Sequence, residues 1–224
     1  MPDLPPTEGP APGLDQTLPA PESGEAAGAV PRKRPKPGER RVQILETLAS
    51  MLEQPGAERI TTAALAARLQ VSEAALYRHF ASKAQMFEGL IEFVESSLFT
   101  LINQITDRET SGTVQARKIV TVLLQFGEKN PGMTRVMVGD ALVFEHERLL
   151  VRMNQFFDRI ESALRQSLRL HAEAAGSATP TVDAGARASV LTAFAVGRLQ
   201  RYARSGFKRG PTEHLDAALQ LLTA

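Results

Sequence analysis

The sequence predicts an all-α protein of about nine helices, and three observations predict it. Apolar residues recur at helical spacing from Arg40 onward, hydroxyl residues stand where helix N-caps are needed, and no stretch shows the period-two alternation of a half-buried strand.

The elements follow in order. Ile44, Leu45, Leu48, Ala49, Met51 and Leu52 give a first helix over 40–52, closed by Pro55-Gly56. Thr61 and Thr62 precede Ala63–Leu69, a short amphipathic helix, and Gln70-Val71 makes a tight break. Ser72 is placed to cap a third helix over 73–80, with Glu73 favourable at its positive end. Ser82-Lys-Ala-Gln85 has capping-box spacing and opens a long helix carrying Met86, Phe87, Leu90, Ile91, Val94, Leu98, Leu101, Ile102 and Ile105. Further helices are expected over 114–129, stopped at Asn130-Pro-Gly132, then over 134–144, 145–174, 183–204 and 212–222.

Composition narrows the functional classes. There is no cysteine, which excludes disulfides and thiolate chemistry and fits a reducing cytoplasm. No basic stretch followed by an apolar run opens the chain and no window approaches a spanning helix, so no membrane partner is expected. His79, His146, His171 and His214 are scattered without the spacing that puts two ligands on one helix face, so neither metal nor cofactor is expected. Ser205-Gly-Phe-Lys208 has the spacing of a serine acyl enzyme but lacks the companion motifs and reads as loop. With no phosphate-cradling loop and no acid/base pair, the chain is expected not to be an enzyme.

Charge is unevenly distributed. From Met1 to Pro31 the charged residues are all acidic (Asp3, Glu8, Asp15, Glu22, Glu25) and mixed with prolines and glycines, the composition of a disordered tail. Residues 32–41 then turn basic, an arm suited to sequence-independent attraction to phosphates.

Two short helices about three residues apart, with another packed behind, form a helix-turn-helix. The second helix of such a unit lies in the major groove while the first crosses the backbone. Thr61, Thr62 and Ser72 sit at helix starts, where hydroxyls and free N–H groups favour phosphate oxygens; Tyr77, His79 and Lys83, with Arg40 and Arg41 of the arm, are in reach of flanking phosphates. Base reading falls to Glu73, Ala74 and Ala75, through a carboxylate accepting from cytosine and methyls touching thymine.

Thr61-Thr-Ala-Ala-Leu-Ala66, Val71-Ser-Glu-Ala-Ala-Leu-Tyr-Arg-His-Phe80 and Ser82-Lys83 resemble the DNA-binding domain of the TetR family. Phe87–Leu98, Phe126–Arg135, Ala141–Glu145 and Arg204–Lys208 extend the likeness to that family's nucleoid-occlusion branch, from about Arg40 onward. The resemblance leaves residues 1–38, the tail with its basic arm, unmatched, and implies a TetR-like fold with 39–88 as helix-turn-helix headpiece and 89–224 as a helical dimerisation and partner-binding domain. It also implies a cytoplasmic, nucleoid-associated homodimer on palindromic double-stranded DNA that antagonises the tubulin-like division protein FtsZ. The C-terminal tail of FtsZ would enter a groove between the fourth and fifth helices, at Phe93, Val122, Gln125, Lys129 and Asn130. Gln125 and Lys129 depart from the glycine and arginine such a groove is expected to carry.

Val190, Leu191, Phe194 and Ala195, with Ala188, Ala193 and Gly197 allowing close approach, are the expected dimer seam, a four-helix interface across a two-fold. Arg198, Arg201, Arg204 and Lys208 form a basic stripe nearby. The alternative is a TetR-type transcriptional repressor released by a small ligand, with Phe126, Phe144, Phe156 and Phe157 as pocket walls. The operator sequence, spreading on DNA and the role of the tail are not legible in the sequence.

Overall fold

The computed structural model describes residues 38–54 and 59–223. The acidic tail and most of the basic arm fall outside the described residues. Arg40 and Arg41, the last residues of that basic arm, lie in the first helix, within its expected span of 40–52. Among the described residues the chain forms α1 (Glu39–Leu52), α2 (Thr62–Leu69), α3 (Glu73–Tyr77), α4 (Lys83–Arg108), α5 (Gly112–Lys129), α6 (Pro131–Met137), a 3-10 turn (Asp140–Leu142), α7 (Glu147–Ala174), α8 (Pro180–Arg204) and α9 (Leu215–Leu222), with no strand.

Hydroxyl caps set the starts. Thr61, Ser72, Ser82 and Ser111 accept hydrogen bonds from the backbone N–H groups of Ala64, Ala75, Gln85 and Val114, each satisfying a donor the helix leaves orphaned. α2 ends on Gln70 in the left-handed region, φ 55°, which turns the chain sharply into α3.

α3 is shorter than the expected 73–80. Gln85 reaches back from α4 so that its Oε1 accepts from the Ala81 N–H at 2.8 Å, and Phe80 turns inward until it is 1% exposed. The chain must therefore leave the helix before Phe80, and His79 lies in the turn beyond α3, not on it. The helix expected over 134–144 starts earlier and ends sooner. Pro131 supplies its first residue, where a missing N–H costs nothing, and Gly139 at φ 84° stops the chain before the 3-10 turn.

A single apolar core runs from α1 to α9, from Ile44, Leu48 and Leu52 through Phe87, Leu90 and Val94 to Leu215 and Leu219. Fully burying each such side chain is worth roughly 1.5–3 kcal/mol. α7 and α8 pair along their length, α5 packs on both, and α1 touches α2, α4 and α6. Two glycines permit the closest approaches. A Cβ on Gly112 would lie 1.9 Å from the Ser167 carbonyl oxygen, and one on Gly132 2.1 Å from that of Ala49.

α4 is also bound by charge to α7 and to the turn before it. Lys83 pairs with Glu145, Arg148 with Glu88 at 2.7 Å, and Arg152 with Glu95 through two donors at 3.2 and 2.6 Å. The hydrogen bond to Glu95 outweighs burial and raises the Arg152 guanidinium above its ordinary value. No helix among the described residues is long and apolar enough to cross a membrane.

Candidate nucleic-acid interface and partner groove

The headpiece presents α3 outward from a base of Leu76 and Phe80, each 1% exposed. Ser72, Glu73 and Ala74 at its start are exposed, Ala75 is half-buried, and Tyr77 is 45% exposed. Thr61 is exposed at the start of α2. Thr62 is half-buried and donates from Oγ1 to Glu73 Oε2 at 2.6 Å, so these two candidate contacts are joined to each other.

Two of the expected cations are engaged inside the protein. Arg41 donates from Nη1 to the His79 carbonyl at 2.8 Å, and its guanidinium lies 4.1 Å from the centre of the Phe80 ring. Lys83 is paired with Glu145, whose side chain is 9% exposed. Arg40 donates to Gln43 at 2.7 Å on the surface of α1. Sequence reasoning passed over Arg78, exposed at the end of α3; its spacing of four residues from Ala74 was the available signal.

The candidate groove lies between α4 and α5. On α4, Phe93 is 48% exposed and its ring centre stands 6.2 Å from that of Phe126. On α5, Lys118, Val122, Gln125 and Lys129 recur at helical spacing, so they share one face. Val122 lines a cavity of about 170 Å³ with Leu101 and Ile105, rimmed by Arg108 and Lys118. Gln125 and Lys129 are exposed, whereas Asn130 is half-buried and gives its Nδ2 to the Phe126 carbonyl at 2.8 Å. The Asn130 side chain is thus tied to the last turn of α5, and its free capacity toward a guest is reduced. The groove has an apolar floor with Lys129 at one end and, at the other, Arg108 beside Lys118, which is paired with Glu109.

The last turn of α5 is held from behind. Glu128 accepts from the Thr212 hydroxyl through its carboxylate and from the Tyr202 hydroxyl, at 3.1 Å, through its carbonyl. Burial, followed by the charges of Glu128 and Glu53, raises Tyr202 above the ordinary tyrosine range.

The expected dimer seam divides. Leu191 and Ala195 are 0% exposed and face the protomer's own core, so neither can meet a second chain. Ala188, expected to allow close approach, is likewise 0% exposed, whereas Val190 is 52% exposed, Ala193 is exposed, and Phe194 and Gly197 are half-buried. The basic stripe beside them is partly engaged, since Arg198 lies 5.0 Å over the Phe194 ring and donates to the Glu213 carbonyl. Arg201, Arg209 and His214 line an adjoining cleft of about 640 Å³.

The phenylalanines offered as ligand-pocket walls do not converge. Phe156 is packed between Phe99 and Phe157 at 5.7 and 5.0 Å, Phe126 stacks with Phe93, and Phe144 is 66% exposed. Ser205 is a loop-forming residue, donating to the Tyr202 carbonyl while accepting from the N–H groups of Lys208 and Arg209.

Residues 44–90 match the bacterial regulatory proteins of the tetR family, and residues 110–224 match the SlmA-like tetracyclin repressor-like C-terminal domain. The chain is 52% identical over 183 residues to the nucleoid occlusion factor SlmA of Idiomarina loihiensis, covering 82% of this chain and 93% of that one. It is 53% identical over 186 residues to the SlmA of Photobacterium profundum, covering 83% and 94%. In fold alone it is similar to the TetR family regulator PfmR from Thermus thermophilus, with TM-score 0.67, 21% identity, and 81% and 97% of the two chains covered. FadR from Bacillus subtilis is similar likewise, with TM-score 0.65, 12% identity, and 82% and 97% covered.

Proposed function

Because the chain belongs to the TetR family and, within it, to the SlmA-like nucleoid occlusion factors, we propose that it binds chromosomal palindromes as a homodimer and, so bound, inhibits FtsZ assembly over the nucleoid. Membership of this family of regulators makes it a DNA-binding protein and not an enzyme. The finer reading, with its place of action in the cytoplasm on the nucleoid, draws its support from one observation. The single helix α4 begins at the headpiece, capped by Ser82, and runs on to carry Phe93 and Leu101 in the groove against α5. A rigid element therefore connects the candidate DNA face with the candidate tail site.

In this reading Thr61 and Ser72 sit at phosphates, the start of α3 enters the major groove, and the outward face of α8 around Val190 and Phe194 joins the two protomers. The tail of FtsZ lays apolar side chains on Phe93 and Val122, and Lys129 meets an acidic group as a point charge, without the fork an arginine would offer. Residues 39–88 form the DNA-contacting part and 89–224 the dimerising and partner-binding part, although α4 passes through the junction unbroken.

Chromosome-wide mapping of bound sites tests this. Many dispersed palindromes are expected; one site upstream of a transporter would instead identify a ligand-responsive repressor.

A further inference from the structure

α3 is so short that its faces can be assigned residue by residue. Leu76 points into the headpiece at 1% exposure. At about 100° per residue, Ala74 and Arg78 each stand roughly 160° from Leu76, on the face directed away from the protein. Glu73 and Tyr77 flank that face on one side, and half-buried Ala75 on the other.

Arg78 keeps helical backbone geometry, φ −71° and ψ −22°, so its side chain leans toward the start of the helix. The residue it leans over is Ala74, whose methyl group leaves that space open. Arg78 therefore extends toward the part of α3 that leads into a major groove.

The other cations near α3 are engaged, and Arg68, likewise exposed, stands at the end of α2 and not on α3. Arg41 is engaged with His79 and Phe80, Lys83 with Glu145, and Arg40 with Gln43. Glu73, the acidic neighbour, is held by Thr62. Arg78 is exposed and makes no side-chain hydrogen bond or ion pair among the described residues.

We propose that Arg78 is the base-reading residue of α3, its guanidinium bridging the O6 and N7 acceptors of a guanine in each half-site, and that Arg41 positions the helix without touching DNA. The fork of an arginine matches those two acceptors, a pairing that neither alanine of the helix can make. The proposal rests on the DNA-binding reading above, and the test separates the two.

Full-length chain, as wild type and as Arg78→Ala, Arg78→Lys and Arg41→Ala, is used to select bound duplexes from a random-sequence library. Circular dichroism verifies that each variant keeps its helix content. Wild type should select a palindrome with a guanine in each half-site. Arg78→Ala should lose discrimination at that position alone, on the order of tenfold, and Arg78→Lys should recover little of it because it lacks the fork. Arg41→Ala should select the same motif with weaker binding and an unchanged slope of affinity against salt, since no phosphate contact is removed. An Arg78→Ala motif identical to wild type, with uniformly weaker binding, would mean a phosphate contact and overturn the base assignment. Loss of salt slope in Arg41→Ala would overturn the positioning role. Failure of the wild type to select any motif would count against the DNA-binding reading itself.

Discussion

The Thr62 hydroxyl donates to the Glu73 carboxylate at 2.6 Å, fastening the first turn of α2 to the first turn of α3 across eleven residues. The bond ties the two helices of the reading unit together and engages the one acidic side chain of α3. Thr62→Val removes the donor and keeps the shape. It should lower stability by about 0.5–1.5 kcal/mol and weaken binding to the selected duplex roughly tenfold. Fluorescence anisotropy against that duplex measures the second effect, and unaltered affinity would mean that the bond has no part in presenting α3.

Lys83 can serve a phosphate only by leaving Glu145, its partner sixty-two residues away. Glu145→Gln weakens that hold. If Lys83 then turns to DNA, affinity should rise, and the slope of log affinity against log salt should steepen by about 1.8 for a dimer, or 0.9 per added contact. Stability should fall by about 1–2 kcal/mol, because Lys83 is partly buried and loses its counter-charge. A steady slope would confine Lys83 to a structural role in joining α4 to the turn before α7.

Gly112 and Gly132 lie where helices nearly touch, and both neighbours are backbone atoms that cannot swing aside. Gly112→Ala and Gly132→Ala should each lower stability by about 1–3 kcal/mol through forced separation of the elements. In a chain of this size that is a fall of about 2–12 °C in Tm, read by circular dichroism. A melting temperature equal to wild type would contradict the close approach of α5 to α7 or of α1 to α6.

Lys129 is exposed at the end of α5, whereas neighbouring Asn130 is half-buried. Lys129→Glu should leave DNA affinity unchanged and weaken binding of an FtsZ tail peptide at least about tenfold, the effect of placing like charges in contact. Lys129→Arg should strengthen it a few-fold by restoring the fork. Parallel loss of DNA binding in Lys129→Glu would point to misfolding and remove support for the groove.

What could be read from the sequence was local. Thr61, Ser72 and Ser82 cap the helices they were expected to cap, because a hydroxyl and the backbone three residues on decide the matter between them. The end of α3 escaped because Gln85, on the next helix, captures the Ala81 N–H. The start of α6 escaped because Pro131 reads equally as a stop for one helix and a first residue for the next. Leu191 and Ala195 read as seam residues in the sequence for a different reason. α8 carries small or apolar residues on both faces, so periodicity alone does not say which face meets α7. Lys83 was assigned to phosphate because its partner Glu145 is adjacent only in the folded chain.

Co-sedimentation of polymerising FtsZ with this protein, in the presence and absence of its selected duplex, measures the proposed activity itself. Wild type with duplex should reduce the pelleted polymer, while wild type without duplex and Lys129→Glu with duplex should leave it largely intact. Equal pellets under all conditions would contradict a DNA-dependent action on FtsZ through the α4–α5 groove.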